Sequence, residues 1–77
     1  MEYTDYFKHT RLREDRKNIK LSWIEYVYNN PDKLEIQSDG RIRKWAKIHE
    51  VDKYLRIVIL KDNKTIHNAF FDRSFKK

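Results

Sequence analysis

The chain has no cysteine, one glycine, one proline and one methionine among its 77 residues. The absence of cysteine removes disulfides, thiolate nucleophiles and Cys-based zinc sites together. The lone glycine, Gly40, and the lone proline, Pro31, each mark a boundary between elements. No apolar run is long enough to cross a bilayer. The opening Met1-Glu2-Tyr3-Thr4-Asp5 is polar with no apolar stretch behind it, so neither a signal peptide nor a transmembrane helix is expected. These absences fit a cytoplasmic protein.

Positive charge and aromatic rings are plentiful by contrast. Eighteen Lys and Arg stand against 12 Asp and Glu, a formal charge of +6, and aromatics make up 14% of the chain. Such an aromatic content argues for a folded domain rather than a basic disordered tail. At 9.6 kDa the chain is a single domain, residues 1–77, with room for one core and no deep interior for a large cofactor. The basic balance points to an anionic partner, with nucleic acid the first candidate.

The N-terminal third reads as helical. Ser22-Trp23-Ile24-Glu25 has the form of a capping box. Ile24, Val27 and Tyr28 follow at helical spacing, and Asn29-Asn30-Pro31 stops the element, so a helix is expected over about 22–30. Thr4 can cap an earlier helix running through Phe7 and Leu12. The run Arg11-Leu12-Arg13-Glu14-Asp15-Arg16-Lys17 is nearly all charge, so residues 1–18 read equally as one helix or an irregular arm. Ile19 and Leu21 are expected to tuck in before the second helix.

From Leu34 onward the pattern changes to strands. Residues 34–37 alternate, and Asp39-Gly40 is the signature of a two-residue type I′ hairpin. Three further runs, residues 41–49, 54–60 and 65–73, are separated by the short turns Glu50-Val51-Asp52-Lys53 and Lys61-Asp62-Asn63-Lys64. Short turns require antiparallel pairing. The expected fold is therefore α+β: one or two N-terminal helices packed on a four-stranded antiparallel meander, with residues 54–60 as a central strand. Lys76-Lys77 reads as a frayed tail.

Strand parity separates two faces. Ile42, Ala46 and Ile48 can face a core with Leu55, Ile57 and Ile59. Arg41, Arg43, Trp45, Lys47 and His49 then share the other face with Tyr54, Arg56 and Val58. The last strand is ambiguous: Ile66, Asn68 and Phe70 compete with Thr65, His67, Ala69 and Phe71 for the core. If the first set wins, His67 and Arg73 join the cationic face. Adjacent on a strand, Asp72 and Arg73 point to opposite faces; Asp72 can anchor the strand by ionic contact while Arg73 holds a phosphate.

The residue types on that face suit RNA. Metal-free cleavage needs a base for the 2′-OH proton, cations for the phosphate and an acid for the leaving 5′-oxygen. Histidine serves either proton role near neutrality, and the planar fork of arginine matches phosphate. The candidate catalytic residues are His67, His49, Arg56 and Arg73. The candidate nucleic-acid contacts are Arg41, Arg43, Trp45, Lys47, Tyr54, Arg13 and Arg16, with Trp45 and Tyr54 offering rings to bases. The same residues equally describe a solvated polar face with ordinary surface histidines, and an aromatic in a small domain is as often core. His9, His49 and His67 are too far apart in sequence for local zinc spacing, so no metal or other cofactor is expected.

Two stretches carry a family resemblance. One runs from His9 through Arg13, Arg16 and Ile19 to the Trp23-Ile24 helix ending at Asn30-Pro31. The other joins Gln37-Ser38-Asp39-Gly40-Arg41-Ile42-Arg43, Tyr54-Leu55-Arg56-Ile57-Val58 and His67-Asn68-Ala69-Phe70-Phe71-Asp72-Arg73. Together they resemble a small, uncharacterised bacterial family related to the RelE/ParE/BrnT toxin superfamily. The resemblance implies a RelE-like fold and a metal-independent toxin endoribonuclease, acting on RNA free or on the ribosome and neutralised by an antitoxin protein. The opening pattern differs from that of BrnT, and ParE-like members act on gyrase, so a non-catalytic nucleic-acid-binding module and a protein-interaction domain stay open. No membrane partner is expected, and the chain is read as a monomer or homodimer.

Overall fold

The computed structural model describes residues 2–13 and 16–75. Lys76 and Lys77, read above as a frayed tail, and Glu14 and Asp15 of the charged run lie outside the described residues. The described chain is α+β, in the order β1 (Glu2–Tyr3), α1 (Asp5–Thr10), α2 (Leu21–Asn29), β2 (Lys33–Ile36), β3 (Ile42–Ile48), β4 (Lys53–Ile59) and β5 (Thr65–Phe71). The sheet has five strands in the order β1-β5-β4-β3-β2. The antiparallel meander β2 to β5 is as expected. The fifth strand is a correction: Glu2 and Tyr3 pair in parallel with Thr65 and Ile66. Two residues are too few to leave a periodic signal, and only the arrival of β5 gives them an edge to join.

Both helices lie on one face, α1 against β5 and α2 across β3 and β4. Phe7, Ile19, Ile24 and Val27 meet Ala46, Ile48, Leu55, Ile57, Ile59, Ile66 and Ala69 to form the core. β4 is the central strand, and its Leu55, Ile57 and Ile59 are fully buried, each contributing about 1.5–3 kcal/mol of burial. Lys44 shares this parity and is also buried; it snorkels to the Tyr28 carbonyl at 2.9 Å, its Nζ 4.3 Å from the Tyr28 ring centroid. Among the described residues no helix is long and apolar enough to cross a membrane.

Local chemistry departs from the sequence reading in three places. Thr4 does cap α1, accepting from the Phe7 amide at 3.0 Å, but the helix ends at Thr10 and Leu12 is 79% exposed. Ser22 caps nothing: α2 starts one residue earlier, with the Trp23 and Ile24 amides donating to the Lys20 carbonyl and no side-chain cap. Burial of Ile19 and Ile24 sets that start, while Leu21, expected to tuck in, is 40% exposed. The β2–β3 hairpin is not a two-residue type I′ turn, which needs positive φ at both central positions. Only Gly40 is positive there, at 90°. Its amide donates to the Gln37 carbonyl at 2.9 Å and the Gln37 amide to Arg41 at 2.7 Å. The loop is therefore the three-residue Ser38-Asp39-Gly40.

The ambiguous strand β5 follows neither parity throughout. Val58 pairs with Asn68 and Ile59 with Ile66, so His67 is an extra residue, a β-bulge. Ile66 faces the core before it; Ala69 and Phe71 face the core after it. Asn68 and Phe70 are thereby moved to the opposite face, beside Val58 and Arg56.

Two substitutions separate the cap that exists from the one that does not. Thr4→Ala is expected to cost about 1 kcal/mol, and Ser22→Ala less than about 0.5 kcal/mol. Urea unfolding of both variants reads the difference directly; equal losses would contradict the assignment of the caps.

Candidate nucleic-acid interface

The face opposite the helices is organised by one cross-strand row. Lys33, Trp45, Arg56 and Phe70 are consecutive register partners across β2, β3, β4 and β5. Cations and rings alternate along it. Lys33 Nζ is 5.8 Å from the Trp45 ring centroid, and the Arg56 guanidinium is 5.5 Å from Trp45 and 5.0 Å from Phe70. Arg16, from the segment between the helices, closes the row, 5.4 Å over Phe70 with its Nη1 donating to the Asn68 side-chain oxygen at 2.8 Å. These are cation–π distances. The cations are thus ordered in large part by neutral rings.

Carboxylates on this face are fewer and mostly at longer range. Arg56 lies 3.8 Å from Asp72, Arg43 lies 3.7 Å from Glu35 and Arg41 lies 3.6 Å from Asp39, while Lys33 and Glu35 approach to 3.3 Å. Among the described residues, Lys33, Arg41, Arg43 and Arg56 thus share the three carboxylates Glu35, Asp39 and Asp72. Burial, and then the neighbouring Arg43, lower the Arg56 pKa, while Asp72 and Glu35 oppose the shift. Among the described residues the buried Arg56 Nε also lacks an acceptor.

Asp72 fastens the C-terminal segment over this row. Its carboxylate accepts from the Trp45 indole N–H at 3.0 Å and from the Ser74 amide and hydroxyl at 3.0 and 2.7 Å. Burial alone would raise its pKa; these hydrogen bonds and Arg56 bring it below the ordinary carboxylate value instead. Phe75 then stacks on Trp45 at 5.2 Å and leans on Tyr54 at 4.8 Å. Trp45 is left only 5% exposed. Its expected role as a base-stacking platform is corrected by that cover: the ring is occupied by Phe75, Lys33 and Arg56.

The expected catalytic residues are spread over the sheet. His67 stands at the bulge near the β1 edge, its Nδ1 3.2 Å from Thr4 Oγ1 and its ring stacked on Tyr6 at 4.8 Å. Burial and then the charge of Arg41 lower its pKa below 6.5, so the neutral imidazole prevails at neutrality. His49 is in the exposed turn after β3. The seven residues of β4 separate that end of the sheet from His67 by roughly 20 Å. Arg73 is exposed just beyond β5, at the His49 end of the sheet. There it lines a groove of about 540 Å³ with Arg16, Trp23, Lys53 and Phe70. Arg56 is central. His67 therefore shares its end of the sheet with Arg41, whose charge it feels, and lies at the opposite end from His49 and Arg73.

Among the other expected contacts, Arg43 shares the central face with Arg56. Lys47 is at the far end, bound to Asp52 at 2.9 Å, a hydrogen bond that raises its pKa. Arg13 is exposed just after α1. Sequence reasoning missed Lys33, Asn68 and Phe70 on this face, and Thr4 and Tyr6 around His67. Two adjacent polar residues, His67-Asn68, between apolar Ile66 and Ala69 are the one available signal of the bulge.

These features define a small α+β domain with a helix-covered core on one side of a mixed sheet and an arginine–aromatic layer on the other. No family model, curated protein or solved structure matches the chain.

The lowered His67 pKa has a definite consequence for stability. The unfolded state takes up its proton first, so the contribution of neutral His67 is complete above pH 6.5 and is lost as pH falls through the folded-state value. Denaturant midpoints of wild type and His67→Gln at about pH 7.5 and about pH 5 should show a larger acid loss in the wild type. Identical losses would count against the half-buried, neutral imidazole.

Proposed function

We propose that the face opposite the helices binds single-stranded RNA through its phosphates, with Arg43 and Arg56 at the centre and Arg41 towards the His67 edge. The observation that carries this reading is the row Lys33-Trp45-Arg56-Phe70, in which cations and rings alternate and each cation has one carboxylate neighbour, at 3.3 Å for Lys33 and 3.8 Å for Arg56. A guanidinium held over a ring keeps donors for an oxyanion. With Trp45 covered, affinity comes from the backbone more than from base stacking. Such binding should show little sequence preference and a strong salt dependence.

A second reading adds cleavage, and His67 alone among the histidines favours it. A neutral imidazole at His67 can take the 2′-OH proton; the 2′-oxygen then attacks phosphorus and the 5′-oxygen leaves, taking a proton from solvent water. The result is a 2′,3′-cyclic phosphate end. His49 is too distant to serve as the acid in the same step. The resemblance to the RelE/ParE/BrnT superfamily would make this a toxin activity, with an acidic antitoxin surface covering the same arginines.

Binding of a fluorescent single-stranded RNA, followed by anisotropy against salt, tests the first reading. A log–log slope of about −2 is expected for three phosphate contacts. Arg43→Ala and Arg56→Ala should each weaken binding roughly tenfold. Lys8→Ala, on the exposed side of α1, should leave it unchanged. A flat salt profile, or equal losses in all three variants, would reject the assignment. Incubation of the wild type and His67→Ala with mixed RNA in EDTA decides the second reading: cyclic phosphate ends from the wild type alone support it, and uncut RNA with intact binding removes it.

A further inference from the structure

β2 is the outer strand on the side of the sheet away from β1. Its free edge is unusual in its side chains. Leu34 is 50% and Ile36 71% exposed. They share the parity of Lys44 and Ile42, their register partners on β3, so they lie on the helix side of the sheet, where α2 covers β3 and β4 but stops short of β2. Lys33 and Glu35 occupy the other face, 3.3 Å apart. An edge with exposed apolar side chains and unpaired backbone groups is a template for another strand.

The backbone fixes which groups are on offer. The Gln37 amide donates to the Arg41 carbonyl, continuing the register in which Ile36 pairs with Ile42. Antiparallel ladders alternate, so Glu35 and Gln37 direct their peptide groups at β3, whereas Leu34 and Ile36 direct theirs at the open edge. In a two-fold antiparallel pairing of one β2 with another, residues of like parity meet. Centring on Glu35 would set two carboxylates opposite each other, which is repulsive. Centring on Leu34 uses its outward amide and carbonyl as a reciprocal pair. It also sets Lys33 of each copy opposite Glu35 of the other, twice. Leu34 meets Leu34, with both Ile36 side chains at the diagonal positions.

We propose that β2 is a homodimerisation edge, pairing antiparallel with β2 of a second copy about an axis at Leu34. The two sheets become one continuous sheet, and the two arginine faces lie on the same side. The charge pattern Lys33-Leu34-Glu35 is self-complementary, and this selects a second copy of the chain as the occupant. Four residues bury little area, so the dimer is weak and concentration-dependent.

Sedimentation equilibrium from about 1 µM to about 1 mM tests this. The wild type should show a monomer–dimer equilibrium within that range. Lys33→Glu and Glu35→Lys, which replace both attractive pairs by like charges, should each weaken it roughly tenfold. An equimolar mixture of the two variants regains both pairs and should dimerise like the wild type. Both side chains are exposed, and unchanged thermal unfolding of the variants excludes misfolding as the cause. A wild type that stays monomeric throughout, or a dimer indifferent to either reversal, overturns the proposal.

Discussion

The arrangement of both faces depends on the single extra residue at His67. A regular strand from Ile66 to Phe71 would set Asn68 and Phe70 on the core side and Ala69 and Phe71 outside. The bulge lets Ile66, Ala69 and Phe71 all join the helix-side core, and apolar burial drives that choice. Its by-product is the arginine–aromatic face: Phe70 arrives beside Arg56 to complete the row, and Asn68 arrives where Arg16 can reach it. Bulges commonly re-aim side chains in this way. Here the imidazole at the break is also pinned, by Thr4 and Tyr6 from the N-terminal edge.

The arginine layer follows from this geometry. On a sheet one side of which is taken by helices, the other must hold its cations without a lattice of counterions. Rings provide that support. A guanidinium over Phe70 or Trp45 is fixed in position at modest cost while its charge persists. Carboxylate partners at 3.6 to 3.8 Å steer the arginines without clamping them. Asp72 is different: its shorter hydrogen bonds to Trp45 and Ser74 fold the C-terminal segment back over the row, and this closes the tryptophan to stacking. For the RNA binding proposed above, that cover favours phosphate contacts over base stacking, a sequence-tolerant mode governed by ionic strength.

Much of the fold was legible before any coordinates. Period-two alternation in β3 and β4 identified their apolar inner residues, Ile42, Ala46, Ile48, Leu55, Ile57 and Ile59, with Lys44 the one interruption in the repeat. The helix over Leu21–Asn29 was marked by Ile24 and Val27 and by its Asn-Pro stop. The misplaced features share a cause. The Ser22 box, the two-residue hairpin and the base-stacking Trp45 were each sound local readings overridden by packing elsewhere: by Ile19 and Ile24 in the core, by a three-residue turn in which only Gly40 has positive φ, and by Phe75.

By itself the sequence determined the α+β class, the central place of β4, the absence of thiol chemistry and a cationic face bearing Arg41, Arg43 and Arg56. Those properties are written in composition and in short-range periodicity, which local sterics translate directly into strands and faces. The tertiary structure decided the parity of β5, the parallel strand β1, the burial of Trp45 and the separation of His67 from His49. Each of these turns on residues distant in the chain competing for one surface. Such competition is settled by the total apolar area buried, a property of the whole molecule that no local pattern encodes.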